Sequence, residues 1–165
     1  MQDGIPPETL TAAEAGHPQA QFNVGWHYKN GKGVPKDLAQ AAKWWRKAAG
    51  AGYPAAQYSL GFDCLDVIPA DEALRWTQLA ADNGLQNAQV YLGWMYFCGG
   101  LGLSRDIITA HKWLLLGTRN NPRRVPRIFC KTMRTFMTAR QIAEAERLAN
   151  EWNPRPDANL EIKPQ

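Results

Sequence analysis

Ala20-Gln21-Phe22-Asn23-Val24-Gly25 returns as Ala56-Gln57-Tyr58-Ser59-Leu60-Gly61 and again as Ala88-Gln89-Val90-Tyr91-Leu92-Gly93, at offsets of 36 and 32 residues. A second block keeps phase with the first: Ala41-x-x-Trp44, Ala73-x-x-Trp76 and Ala110-x-x-Trp113. Self-similarity at a fixed period of about 35 residues is the mark of a solenoid. A stack of such units offers an extended surface rather than an enclosed catalytic pocket. The pattern therefore points to binding before catalysis.

The fullest unit runs from Pro18 to Gly52. Ala20, Val24 and Tyr28 recur at four-residue spacing, an apolar stripe on a first helix. Lys29-Asn30-Gly31-Lys32-Gly33-Val34-Pro35 breaks it, because two glycines admit positive φ and a proline blocks continuation. Asp37 is placed to cap a second helix by accepting its orphan N–H bonds. That helix carries Leu38, Ala41, Ala42, Trp45, Ala48 and Ala49 inward, with Lys43, Arg46 and Lys47 on the solvated side. Gly50 and Gly52 end it. Gly25, Gly61 and Gly93 lie inside first helices, where glycine costs roughly 1 kcal/mol against alanine. A cost recurring at one position implies a recurring gain, namely close approach of the paired helix. Trp44, Trp76 and Trp113 are expected to fill the junctions of successive units.

The run Ala20-Gln-Phe-Asn-Val-Gly-x-x-Tyr28-x-x-Gly31-x-Gly33-Val34-x-x-Asp37-x-x-x-Ala41-x-x-Trp44-x-x-Lys47-Ala48-Ala49-x-x-Gly52 resembles the Sel-one-like repeat (SLR), a relative of the tetratricopeptide solenoids. The second unit departs from it: Gly61 to Ala73 is four residues shorter than Gly25 to Ala41 and lacks the Gly-x-Gly loop. The third restores the loop as Gly99-Gly100-Leu101-Gly102 with Asp106. The resemblance implies an all-α, right-handed superhelical solenoid of antiparallel helix pairs. Its expected parts are a half unit at 7–16, units at 17–52, 53–84 and 85–119, and a C-terminal capping pair at 120–152. Helices are expected near 7–15, 18–30, 37–51, 54–65, 70–83, 86–98, 105–117, 124–136 and 139–152. Thr138-x-x-Gln141 is a capping-box pattern opening the last of them. Counting forward from Trp113 and backward from Thr138 places the helix before it in registers about two residues apart. Residues 153–165, rich in proline and poor in apolar side chains, are expected to be disordered.

With 165 residues the chain can bury one sizeable core. No run approaches the roughly 20 apolar residues of a membrane span. The opening Met1-Gln2-Asp3-Gly4-Ile5-Pro6-Pro7 lacks the basic and apolar regions of a signal peptide, which predicts a cytoplasmic protein. Were a leader already removed, the compartment would be periplasmic or extracellular. Cys64, Cys98 and Cys130 fall at different positions of the repeat, so they read as free, half-buried thiols rather than a disulfide per unit. Neither they nor His17 and His27 have metal-ligand spacing, so no metal or other cofactor is implied. No nucleophile elbow, triad order, Ser-x-x-Lys pattern or phosphate loop appears, and an enzyme is not expected.

Binding candidates fall in two groups. Aligning the units puts Asn23, Ser59 and Tyr91 at one groove-facing position of the first helices, and Trp26, Phe62 and Trp94 at another. The aromatic row suits a partner-binding groove or packing between neighbouring first helices. The size of Trp26 and Trp94 favours the groove. The second group is electrostatic: Ile107 to Ala143 holds no Asp or Glu and carries +8, while the whole chain is +4. Arg123, Arg124 and Arg127 in the stretch Arg119–Arg134 are its candidate contacts, first as a solvated basic face and next for an acidic protein surface. Nucleic acid is the weaker alternative, since only Phe129 and Phe136 interleave. The expected function is a non-catalytic interaction module holding a protein or peptide on its concave face. What the resemblance implies includes adaptors and immunity proteins against secreted toxins.

Overall fold

The computed structural model describes residues 4–119 and 124–154, with side chains at all of these except 124 and 125. Among them lie nine α-helices: α1 (Pro7–Glu14), α2 (Pro18–Asn30), α3 (Leu38–Gly50), α4 (Pro54–Asp63), α5 (Ala70–Asp82), α6 (Gln86–Cys98), α7 (Ile107–Thr118), α8 (Arg124–Met133) and α9 (Ala139–Glu151). Short 3₁₀ turns occupy Gly100–Gly102 and Arg134–Phe136. No strand occurs among the described residues. α2 packs on α3 and α6 on α7 as antiparallel pairs, the α/α solenoid class that the period predicts. The helix expected over 124–136 changes to 3₁₀ at Arg134. A 3₁₀ turn takes 3.0 residues instead of 3.6, so one α-helical register does not carry through it. The expected disorder of 153–165 concerns residues that, beyond 154, lie outside the described ones.

The helix ends follow from local chemistry. Asp37 accepts from the Gln40 amide, and Asp106 accepts from the Ile108 and Thr109 amides, so both second helices with a full loop open on a carboxylate cap. Where the Gly-x-Gly loop is missing, the amides of Val67 and Ile68 both donate to the Cys64 carbonyl, and buried Cys64 and Ile68 anchor the shorter turn. The last helix has the predicted capping box between Thr138 and Gln141.

Three turns between units are the same object. Gly16, Gly52 and Gly84 take φ of +94°, +84° and +85°, a region that favours glycine. Their amides donate to Ala13, Ala49 and Ala81, while the following amides of His17, Tyr53 and Leu85 reach back to Ala12, Ala48 and Ala80. This is the Schellman arrangement, which satisfies carbonyls orphaned at a helix end. The glutamine of the repeated Ala-Gln pair completes it. Gln21, Gln57 and Gln89 are buried, and each donates its side-chain amide eight residues back, to Ala13, Ala49 and Ala81, at 3.1, 3.2 and 3.1 Å. A buried amide needs such a partner. Each glutamine thus ties the start of one unit to the end of the last.

The chain divides into two compact units, one up to Leu79 and the other from Ala80, the division falling inside α5. In the first, Ile5, Ala13 and Val24 form a buried cluster covered by Leu10, Ala20, Tyr28, Val34 and Trp44. Ala41, Ala42, Trp45, Ala48 and Ala49 are buried along α3, as the stripe predicts, and Lys43, Arg46 and Lys47 are exposed. In the second, Ala110, Leu114, Cys130 and Met133 make the core, with Phe97 and Phe129 edge-to-face beside it. Trp152 meets Trp113 of α7 edge-on at 6.2 Å.

Glycine inside the first helices is required by space. A Cβ on Gly25 would overlap the Trp45 indole, and one on Gly61 would overlap the Thr77 hydroxyl. On Gly93 it would stand 2.9 Å from both the Ala110 carbonyl oxygen and Leu114 Cγ. Gly117, which the repeat comparison does not single out, has the same constraint against Val90 and the Gln86 carbonyl.

Candidate binding surface

One helical step beyond Gly25, Gly61 and Gly93 stands an exposed aromatic. Trp26 is 40% exposed, Phe62 46% and Trp94 48%. A step of about 100° carries the chain from the paired helix to the outside. Each ring is braced by its own helix or loop. Phe62 stacks on Tyr58 at 5.4 Å and Trp94 on Tyr91 at 6.1 Å, both nearly parallel. Trp26 meets His27 edge-on at 5.5 Å and has the Lys32 ammonium 5.3 Å above it. His27 Nδ1 lies 2.7 Å from the Lys32 carbonyl oxygen, which fixes that corner.

At the other repeat position the side chains diverge. Asn23 is exposed and lines an open hollow of about 450 Å³ with Glu8, Thr9 and His17. Tyr91 is half-buried, and burial raises its phenol above the ordinary range. Ser59 corrects the expectation, being only 8% exposed. A serine reaches little beyond its Cβ, so neighbouring side chains overtop it where asparagine or tyrosine would project.

Ion pairs hold α2 to α4 and α3 to α5 within the first unit. Lys29 donates to Asp63 at 2.6 Å. Arg46 makes a two-pronged contact with Glu72 at 2.7 and 2.9 Å, and the Trp76 indole also donates to Glu72 at 3.2 Å. The Arg46 hydrogen bonds hold the Glu72 carboxyl below its usual range. The Trp26 and Phe62 rings therefore sit on clamped helices.

The basic segment is not a uniformly solvated face. Arg119 donates to Asn150 Oδ1 at 3.0 Å and to the Ala149 carbonyl at 3.4 Å, and Arg134 donates to Glu146 at 3.1 Å. Both reach α9. Arg127 is exposed and borders a cleft of about 350 Å³ between α7, α8 and α9. Arg123 lies outside the described residues, as does the side chain of Arg124.

The remaining chemistry-bearing side chains stand apart. His111 is wholly buried, its Nδ1 3.8 Å from Cys130 Sγ, and burial followed by the Arg134 charge lowers its pKa. Burial and then the Asp63 carboxylate push the Cys64 thiol up to about 12, which keeps it protonated and unreactive. All three cysteines are free. Cys64 and Cys130 are buried, whereas Cys98, expected to be half-buried, is exposed at the end of α6. Among the described residues, no three of His, Cys, Asp and Glu gather as a metal site. No described helix is long and apolar enough to cross a membrane. Sequence reading missed the tie of Arg119 and Arg134 to α9. The signal available was the spacing of Glu146 and Asn150, one turn apart on the predicted last helix.

Comparison with known proteins agrees with this geometry. A Sel1 repeat protein from Oxalobacter formigenes superposes with a TM-score of 0.65 at 26% identity, covering 76% of this chain and 96% of its own. A protective antigen of uropathogenic Escherichia coli with an SLR fold gives 0.63 at 26% identity over 95% of this chain and 43% of its own. An uncharacterized protein of Neisseria meningitidis serogroup B is 36% identical over 103 residues, 58% of this chain. The chitin synthase regulator SKT5 of Saccharomyces cerevisiae is 51% identical over 41 residues, 25% of this chain. The matched parts span 22% and 6% of those two relatives' lengths. The Sel1 repeat model matches residues 18–53, 54–85 and 86–122 in turn. The repeats of this family typically serve as protein–protein interaction modules and generally as non-catalytic scaffolds. With three successive repeats matched over more than half its length, the chain belongs to the Sel1 repeat family.

Proposed function

We propose that this chain is a non-catalytic module that holds a protein or peptide segment on its first helices, with Trp26, Phe62 and Trp94 as the anchors. The observation that carries the reading is one repeat position occupied three times by a large exposed ring, each braced from its own helix or loop. Large, preorganised aromatics lose little conformational freedom on contact and dominate binding hot spots. Asn23 and Tyr91 flank them at the adjoining position. The yeast relative's description as a regulator of another protein is in keeping with a role exerted through contact.

The test is to capture the partner with the intact chain from its source organism, identify it by cross-linking and mass spectrometry, and titrate it against alanine variants. Trp26→Ala or Trp94→Ala is expected to weaken binding by roughly 2 kcal/mol, about thirtyfold. Wild-type affinity in the triple variant Trp26→Ala/Phe62→Ala/Trp94→Ala would end the reading.

A further inference from the structure

The cleft between α7, α8 and α9 has an imbalance of charge that its own residues leave open. Leu115 and Ala149 contribute an apolar floor, while Arg119 and Arg127 stand on its wall. Through Thr118 and Arg127 it continues into a smaller hollow of about 220 Å³ bordered by Lys131 and Arg134. Among the described residues, four cations thus face a single carboxylate, Glu146, and that carboxylate is already paired with Arg134 at 3.1 Å. Arg119 is held by two neutral acceptors, the Ala149 carbonyl and Asn150 Oδ1, which orient its guanidinium without offsetting its charge. Arg127 and Lys131 lie one turn apart on α8, a like-charge spacing that disfavours a helix. Among the described residues neither has a carboxylate within ion-pair range.

We propose that this cleft is a binding site for carboxylate side chains of an acidic segment in a protein partner. Arginine presents a planar fork that matches a carboxylate in two parallel hydrogen bonds. Arg119 is already positioned, and Arg127 and Lys131 are uncommitted, so the cation geometry is partly paid before a ligand arrives. The shape favours a peptide over a nucleic acid. The concavity is short, it has apolar floor for the methylenes of a Glu side chain, and no aromatic ring lines it as a base-stacking platform. The assignment rests on the reading of this chain as a protein-binding module, but it uses residues separate from the aromatic row.

Hexaglutamate is the probe, titrated at low salt into the ¹⁵N-labelled full chain while the Arg127 Nε–H and Thr118 amide resonances are followed. A saturable shift of both is expected. Arg127→Gln/Lys131→Gln should weaken it roughly tenfold or more, the scale of losing charge-assisted hydrogen bonds, with an unchanged thermal melt. The triple aromatic variant should bind hexaglutamate as the wild type does, which separates failure of this site from failure of the aromatic surface. Absence of a saturable shift, or an undiminished shift in the double variant, would overturn the proposal. So would tighter binding of a dodecathymidylate at the same resonances with a steeper salt dependence.

Discussion

Two stripes on the first helices lie one residue apart in sequence and have opposite fates. Gly25, Gly61 and Gly93 are buried against the paired helix with no room for a Cβ. Trp26, Phe62 and Trp94 immediately follow them and are 40 to 48% exposed. The inner stripe is constrained by volume, so the residue type is forced and its recurrence is a packing statement. The outer rings are braced by their own helix or loop yet stay partly exposed, and we propose that their recurrence reflects partner contact. The difference teaches that a repeat motif mixes two kinds of information, and that a helical step of about 100° is enough to separate them.

The largest effect should come from the inner side. Trp45 is 1% exposed, lies against Gly25, stacks on Phe22 at 6.1 Å and donates its indole N–H to the Phe22 carbonyl at 3.0 Å. Truncation opens a cavity and strands that acceptor, so Trp45→Ala is expected to destabilise the chain by about 3–5 kcal/mol in urea denaturation. A loss below about 1 kcal/mol would mean the inner stripe is not held by volume.

Gly93→Ala is a sharper test, because two principles predict opposite signs. Intrinsic helix propensity favours alanine by roughly 1 kcal/mol. Against that, the new methyl meets the Ala110 carbonyl oxygen at 2.9 Å and the Leu114 amide nitrogen at 3.2 Å, backbone atoms that cannot rotate aside. Overpacking of this kind costs about 1–3 kcal/mol, so a net loss of stability is expected. A stabilised variant would show that glycine is there for some reason other than helix approach.

The inner stripe and the helix pairs were legible because each rests on residue types with few alternatives. Glycines with a proline mark the α2–α3 loop, Asp37 and Asp106 mark caps, and alanine spacing marks buried faces. The buried glutamines stood inside the quoted motif, yet their role was not legible, since a polar residue's acceptor eight positions back becomes visible only when the turn between is built. The site was legible in part. The repeat put the three rings at one position and left groove and packing both open, and it did not foresee the burial of Ser59, because shared position fixes direction and side-chain length decides reach. The basic segment was legible as charge but not as a cleft, for Arg119 and Arg134 are turned by groups on α9 some 30 and 12 residues away.

The smallest expected change in stability falls on the outer stripe. Trp94 stacks on Tyr91, three residues earlier on the same helix, a pair of the kind that supports an exposed helix by about 0.2–0.5 kcal/mol. Alanine replaces a residue of lower helix propensity and returns a similar few tenths. With Trp94 48% exposed, about half of its surface is in water before truncation. These contributions nearly cancel, so Trp94→Ala should unfold within about 0.5 kcal/mol of the wild type, as surface substitutions commonly do. The same measurement on Trp26→Ala carries one extra contribution, the Lys32 ammonium over its ring, worth about 0.5–1 kcal/mol at an exposed site. Urea denaturation of the pair should therefore rank Trp26→Ala slightly below Trp94→Ala, both far above Trp45→Ala. Losses of 3 kcal/mol or more at Trp26 and Trp94 would assign the rings to the core, erase the difference between the two stripes, and leave the outer recurrence with a packing cause after all.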